Sequence, residues 1–283
     1  MTGAAVRCHI TDDAAVTAEI VSMRLFDLGA QAVAATKEGL LAGFATIASG
    51  EAAKHAILRE FSDVVSTIDV EADDAAWVQQ QRPHIAISTV PPFVLRPPWV
   101  SPPDAVRPEY DLVIDPGAAF GHGGHPSTQL ALSLLIPRVE LNRRVIDVGT
   151  GTGVLAIAAA RLGATVTAID IDPLAVAQAE HNIEANDHDG IGQRIDLLRA
   201  ELSDIEVSAT DLVVANVTLG TQRTIAAQVA QSHRVILAGI LDSQISEVRG
   251  LYPAHEAITI ESAGEWTAVE FLSDTLLAEG NRE

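Results

Sequence analysis

A chain of 283 residues with a formal net charge of −20 has room for one large domain or two modest ones, and two is the expectation. The charge argues against unassisted binding to a phosphate backbone, which needs lysine and arginine to neutralise phosphates, and leaves a basic protein partner or plain solubility open. No apolar run reaches the roughly 18 to 20 residues of a membrane span, Met1 to His9 lacks the basic start and apolar core of a secretion signal, and one cysteine excludes an internal disulfide and a cysteine-based zinc site, so a cytoplasmic protein without membrane association is expected.

Residues 4–71 alternate in a readable order: strand Ala4–Ile10, helix Ala14–Leu28, strand Gln31–Thr36, strand Gly39–Ala45, helix Gly50–Phe61 and strand Val64–Val70. Thr36-Lys37-Glu38-Gly39 supplies the turn between the middle strands, and Gly29 closes the first helix. The βαββαβ order predicts an antiparallel four-stranded sheet with two helices on one face, a small α+β ferredoxin-like domain over residues 1–75. Cys8 shares a strand face with Val6 and Ile10 and reads as a small core residue. With no glycine-rich loop and no titratable cluster, the domain is expected to recognise a partner, plain stabilisation being the alternative.

Most of the 13 prolines fall between Pro83 and Pro108. Proline at that density cannot sustain a helix or a central strand, so residues 76–110 are expected to form an extended, semi-rigid linker pinned to the second domain by Phe93 and Trp99. Residues 111–283 then alternate strand and helix, with strands near 144–149, 165–170, 194–198, 211–216 and 233–240. Two last strands, Ala257–Ser262 and Glu265–Leu272, flank Ala263-Gly264 and should pair antiparallel. The result is a seven-stranded, mainly parallel sheet with an antiparallel edge.

Inside that region Val145-Ile-Asp-Val-Gly-Thr-Gly-Thr-Gly153 runs from a buried strand into a glycine-rich turn and a helix, and the next strand ends in Asp170. Gly149, Gly151 and Gly153 let the backbone turn tightly and approach a ligand, and Asp170 can accept both hydroxyls of a ribose. The same residues fit a dinucleotide fingerprint. Asp147 separates the readings: an anion at the mouth of the turn repels a diphosphate and attracts the ammonium of S-adenosylmethionine, so a methyl donor is expected and a dinucleotide is the alternative. His122 and His125 have no third ligand at metal spacing, so no metal is expected; they line the site or, alternatively, act as a base.

Together with that turn, Pro116 to Thr128 (PGAAFGHGGHPST), Asp170-Ile-Asp-Pro173, Asp211-Leu-Val-Val-Ala-Asn216, Gly239-Ile-Leu241 and Gly264-Glu-Trp266 resemble the bacterial ribosomal protein L11 methyltransferases. The resemblance runs from the linker to the last strand; the N-terminal domain agrees in pattern only. It implies a Rossmann-like class I methyltransferase domain that transfers methyl groups to lysines or the terminal amine of a ribosomal protein. It also implies that Thr128, Gly149, Asp170 and Asn216 contact S-adenosylmethionine and that the loop holding Phe120 and His125 folds over it. His122 stands where the family has threonine, and the region of Trp77 lacks a second tryptophan.

Asn216, ending the fourth strand, can accept a hydrogen bond from an amine without the full charge that would keep it protonated. Val217-Thr218-Leu219 comes next, not the Pro-Pro-aromatic run that grips a flat base, so an aliphatic amine fits better than an adenine. A small-molecule amine methyltransferase and a nicotinamide-dependent dehydrogenase are the alternatives.

Overall fold

A computed structural model of the chain describes residues 3–10, 18, 20–22, 24–25, 28–36, 39–44, 46–73, 86–117 and 123–280. The chain divides into two compact units, one built on Met1–His84 and the other on Ile85–Gly117 with Gly121–Glu283.

The first unit contains β1 (Gly3–Ile10), β2 (Ala30–Thr36), β3 (Gly39–Phe44), α1 (Ile47–Glu60) and β4 (Val65–Asp73). Its sheet has the order β2-β3-β1-β4, antiparallel throughout, as the βαββαβ pattern predicts. Of the described residues of the first expected helix, 18, 20–22 and 24–25 are helical, while Leu28 is already in a turn. Strand period two turns Val6 and Cys8 of β1 inward, where they pack with Leu40, Phe44, Ala53, Ile57 and Ile68. Burial pushes the Cys8 thiol up to about 12, so it is an inert core group.

Helix α1 begins three residues before the expected Gly50 because Thr46 caps it: the Ser49 amide donates to Thr46 Oγ1 at 3.1 Å. Gly50 lies inside the helix, against the sheet. A Cβ there would approach Val6 Cγ2 to 3.0 Å, so the glycine sets how closely helix and sheet approach.

In the second unit the proline-rich segment departs from expectation. Residues 88–96 form a hairpin, β5 (Ser88–Val90) and β6 (Phe93–Arg96), around a cis Pro91-Pro92 bond, and β7 (Asp111–Val113) adds to β6 in parallel. Prolines sit at the turn and beyond the strands, where no ladder amide is lost. Phe93 is buried as expected, but Trp99 is 36% exposed.

The main sheet has seven strands in the order β10-β9-β8-β11-β12-β14-β13. They are β8 (Arg144–Val148), β9 (Thr165–Asp170), β10 (Ile195–Arg199), β11 (Leu212–Asn216), β12 (Arg234–Leu241), β13 (His255–Ala263) and β14 (Trp266–Ser273). The first five pair in parallel, β14 runs antiparallel to β12, and β13 antiparallel to β14. Around them lie α2 (Pro126–Leu135), α3 (Val154–Arg161), α4 (Pro173–Asn186), α5 (Leu219–Val229), α6 (Ile245–Leu251) and α7 (Asp274–Gly280). Strand order reverses between β8 and β11, which opens a crevice at their carboxyl ends, the usual ligand position in such sheets. Ile146, Val148, Val213, Ala215, Val235 and Leu237 form the core beneath it.

Candidate active site

The glycine-rich turn leaves β8 and enters α3. Gly149, Gly151 and Gly153 take φ of 71°, 56° and 80°, a region that side chains strain to enter. A Cβ on Gly149 would stand 2.5 Å from Val217 Cγ1, so the turn is also packed against the residue just past β11. The amides of Gly149 and Thr150 both donate to the Ile169 carbonyl at 2.9 Å, which ties the turn to β9.

Asp170 ends β9 with both carboxylate oxygens engaged: Oδ2 accepts from the Gly151 amide and Oδ1 from the Asp172 amide, each at 3.0 Å. Burial raises its pKa and those two amides lower it. Each oxygen keeps further lone pairs, so the carboxylate is aimed and can still accept hydroxyls.

Asp147 is not at an open mouth. Its side chain is 0% exposed, with Oδ2 accepting from Thr150 Oγ1 at 2.7 Å and Oδ1 without a hydrogen-bond partner among the described residues. Burial pushes its pKa up to about 7, against the opposing pull of the Thr150 hydroxyl. Asp147 is buried because it precedes the first glycine by two residues, on a strand whose residues Val145–Val148 are all buried.

At the end of β11, Asn216 Nδ2 donates to Thr128 Oγ1 at 3.3 Å, while Oδ1 is enclosed and accepts no bond from the described residues. Thr128 lies in the first turn of α2, which His125 caps: the Ser127 amide donates to His125 Nδ1 at 3.2 Å. The His125 ring meets Trp266 edge to face, with centroids 4.7 Å apart. Phe120, His122 and Trp77 lie outside the described residues. Among the described residues no cluster of His, Cys, Asp and Glu is placed to hold a metal, and no helix is long and apolar enough to cross a membrane.

Several buried amides that shape the site escaped the sequence reading. Asn182 Oδ1 accepts from the Asp115 amide at 2.9 Å, and its Nδ2 donates to the carbonyls of Asp115 at 3.0 Å and Thr152 at 2.9 Å. Gln178 Nε2 reaches the Asp115 carbonyl as well, and Asn186 bonds both main-chain groups of Val113. Residues 178, 182 and 186 recur every fourth position of α4, a polar stripe where an apolar one is expected, and that spacing was the available signal. Gln222 is likewise buried, between the ends of β11 and β12.

The arrangement fits S-adenosylmethionine. The glycine turn leaves no room for side chains at Gly149 and Gly153, the Asp170 carboxylate is held by two amides with lone pairs to spare, and Asn216 Oδ1 is an enclosed acceptor lacking a donor among the described residues.

The family described as ribosomal protein L11 methyltransferase (PrmA) matches residues 51–273. The ribosomal protein L11 methyltransferase of Thermus thermophilus is 35% identical over 212 residues, covering 71% of this chain and 79% of that protein. That of Ralstonia pickettii is 31% identical over 291 residues, covering 91% and 95%. The crystal structure of a ribosomal protein L11 methylase from Lactobacillus delbrueckii subsp. bulgaricus aligns with a TM-score of 0.58 at 28% identity, over 66% of this chain and 98% of that one.

Proposed function

The chain belongs to the ribosomal protein L11 methyltransferase family, and we propose that it transfers methyl groups from S-adenosylmethionine to lysine side chains or the terminal amine of ribosomal protein L11. The observation that carries this reading is Asn216: its carboxamide is held by Thr128 at the crevice, with its oxygen lacking a donor.

Methyl transfer to an amine depends first on geometry and on a neutral nitrogen. A lysine of pKa about 10.4 costs roughly 4 to 5 kcal/mol to deprotonate near pH 7, so the site must favour the neutral form. Asn216 Oδ1 accepts a hydrogen bond from the amine and orients its lone pair; being uncharged, it stabilises the ammonium far less than a carboxylate would. S-adenosylmethionine, when bound, supplies an electrophilic methyl group and a sulfonium charge that disfavours a second cation nearby.

Thr128, Gly149, Gly151, Gly153 and Asp170 hold the cofactor, with Phe120 and His125 on the loop beside it. Asp147 acts from beneath the turn, through its field on the cofactor's ammonium. Residues 1–75 form the recognition domain, 76–110 the proline-rich connection and 111–283 the methyltransferase domain. The partner is a basic protein, bound without direct contact to nucleic acid, and the protein works in the cytoplasm; the formal charge of −20 supports the electrostatic part of this reading.

Incubation with methyl-tritiated S-adenosylmethionine and purified ribosomal protein L11 tests the proposal. Label in L11 lysines or its terminal amine is expected. Label confined to small molecules of a cell extract overturns it.

A further inference from the structure

Gln222 is a buried polar side chain that the chemistry above leaves unused. It lies in the first turn of α5, is 0% exposed, and donates through Nε2 to two main-chain carbonyls, Val217 and Ala238, each at 3.0 Å. Carbonyl oxygens only accept, so the amide nitrogen must face them. Oε1 then points away and has no partner among the described residues. An enclosed acceptor without a donor is costly, and leucine or methionine would fill the same volume without it.

What the nitrogen grips is specific. Val217 is the residue after Asn216, and Ala238 is the register partner of Asn216 across β11 and β12. Next to Ala238 the pairing of β12 with β14 shifts register, and Gly239 takes φ of 77°. A Cβ on Gly239 would lie 2.8 Å from the Val217 carbonyl oxygen and 2.9 Å from Asn216 Oδ1. The carboxamide oxygen of Asn216 thus rests against a bare Cα, with the main chain beside it and across from it tied to one amide nitrogen.

We propose that Gln222 is a positioning residue for methyl transfer: its forked bond to Val217 and Ala238 fixes the ends of β11 and β12 and so the place of Asn216 Oδ1. The proposal rests on Asn216 being the acceptor for the amine. Gln222 touches neither donor nor acceptor substrate; it acts through the strand ends, and Gly239 makes the close approach possible.

The test uses the full chain with ribosomal protein L11, single-turnover rates at saturating S-adenosylmethionine, and calorimetric cofactor affinity. Gln222→Leu should lower the rate about ten- to a hundredfold, as loss of orientation does, while cofactor affinity stays within about twofold. In an Asn216→Ala background the same change should alter the rate less than about threefold, because the group it positions is gone. Gln222→Glu carries the test should the leucine variant not fold. Its neutral carboxyl can donate to one carbonyl and its carboxylate to none, so its rate relative to the parent should rise as pH falls. A parental rate in Gln222→Leu, losses that multiply with Asn216→Ala, or a flat rate ratio for Gln222→Glu each overturns the proposal. If Asn216→Ala alone keeps the parental rate, the amine site is misassigned and this inference falls with it; if it slows the reaction while Gln222→Leu does not, only the positioning role fails.

Discussion

Asn216 Nδ2 donates to Thr128 Oγ1 at 3.3 Å, a bond between residues 88 positions apart that joins the end of β11 to the first turn of α2. Asn216 has two acceptor lone pairs and two donor hydrogens, and the hydroxyl, by engaging one end of the carboxamide, holds the side chain in place. Thr128→Val removes that acceptor at nearly constant volume and should slow single turnover by about tenfold or more through misorientation. Thr128→Ser keeps the oxygen and should stay near the parental rate. Equal rates for the two variants would show that the bond does not set the carboxamide.

The carboxylate of Asp170, which we propose binds a ribose, also accepts from the Gly151 and Asp172 amides. Asp170→Ala should weaken S-adenosylmethionine binding by on the order of 1.5 to 3 kcal/mol for the lost charge-assisted bond, and more if the turn relaxes. Calorimetry separates the two: Asp170→Asn keeps one acceptor oxygen and should lose less. Unchanged binding in the alanine variant contradicts the assignment.

The glycine turn and the strands were legible because their signals are local. Gly149, Gly151 and Gly153 come directly after a buried strand, and each strand of the main sheet falls within two residues of its expected bounds. What stayed hidden depends on chain far away in sequence. Asn182 and Gln222 read as ordinary helix positions, since the carbonyls they bond belong to other elements. The hairpin at 88–96 was masked by its prolines, which sit just outside the ladder. Asp147 reads in the sequence as a carboxylate at the mouth of the turn, and only the packed sheet reveals that it is buried beneath it.

That burial makes Asp147 a source of pH dependence. Folding raises its pKa from 3.8 to about 7, so the folded chain keeps a proton there that the unfolded chain releases. The resulting stabilisation is full below about pH 4 and is lost as pH rises through about 7. Asp147→Asn retains an acceptor for Thr150 and does not titrate. Its melting temperature minus that of the parent should therefore increase from about pH 4 to pH 8, by several degrees. Calorimetric melts of both proteins across that range decide, and a constant difference would mean that Asp147 has the same affinity for protons folded and unfolded. If the carboxylate also draws the cofactor's ammonium, parental affinity for S-adenosylmethionine should climb through the same window while the variant's stays flat.

Asn216→Asp isolates charge from shape at the proposed transfer point. The side chain keeps its size and an acceptor oxygen, and Thr128 can turn its hydroxyl to donate where it accepted before, so the link to α2 survives. The new oxygen brings a negative charge beside the amine. An opposite charge within a few ångströms favours the charged form, so the bound amine's pKa rises, on the order of 1 to 3 units for a close pair. Less of it is neutral at a given pH, and the acid limb of the single-turnover profile should move upward by a similar amount. At a pH high enough to deprotonate the amine in both proteins, the rates should converge to within about tenfold. Asn216→Ala should instead lower the rate at every pH, because it removes orientation without changing the charge. A parental rate and profile in the Asp variant would mean that Asn216 does not face the amine.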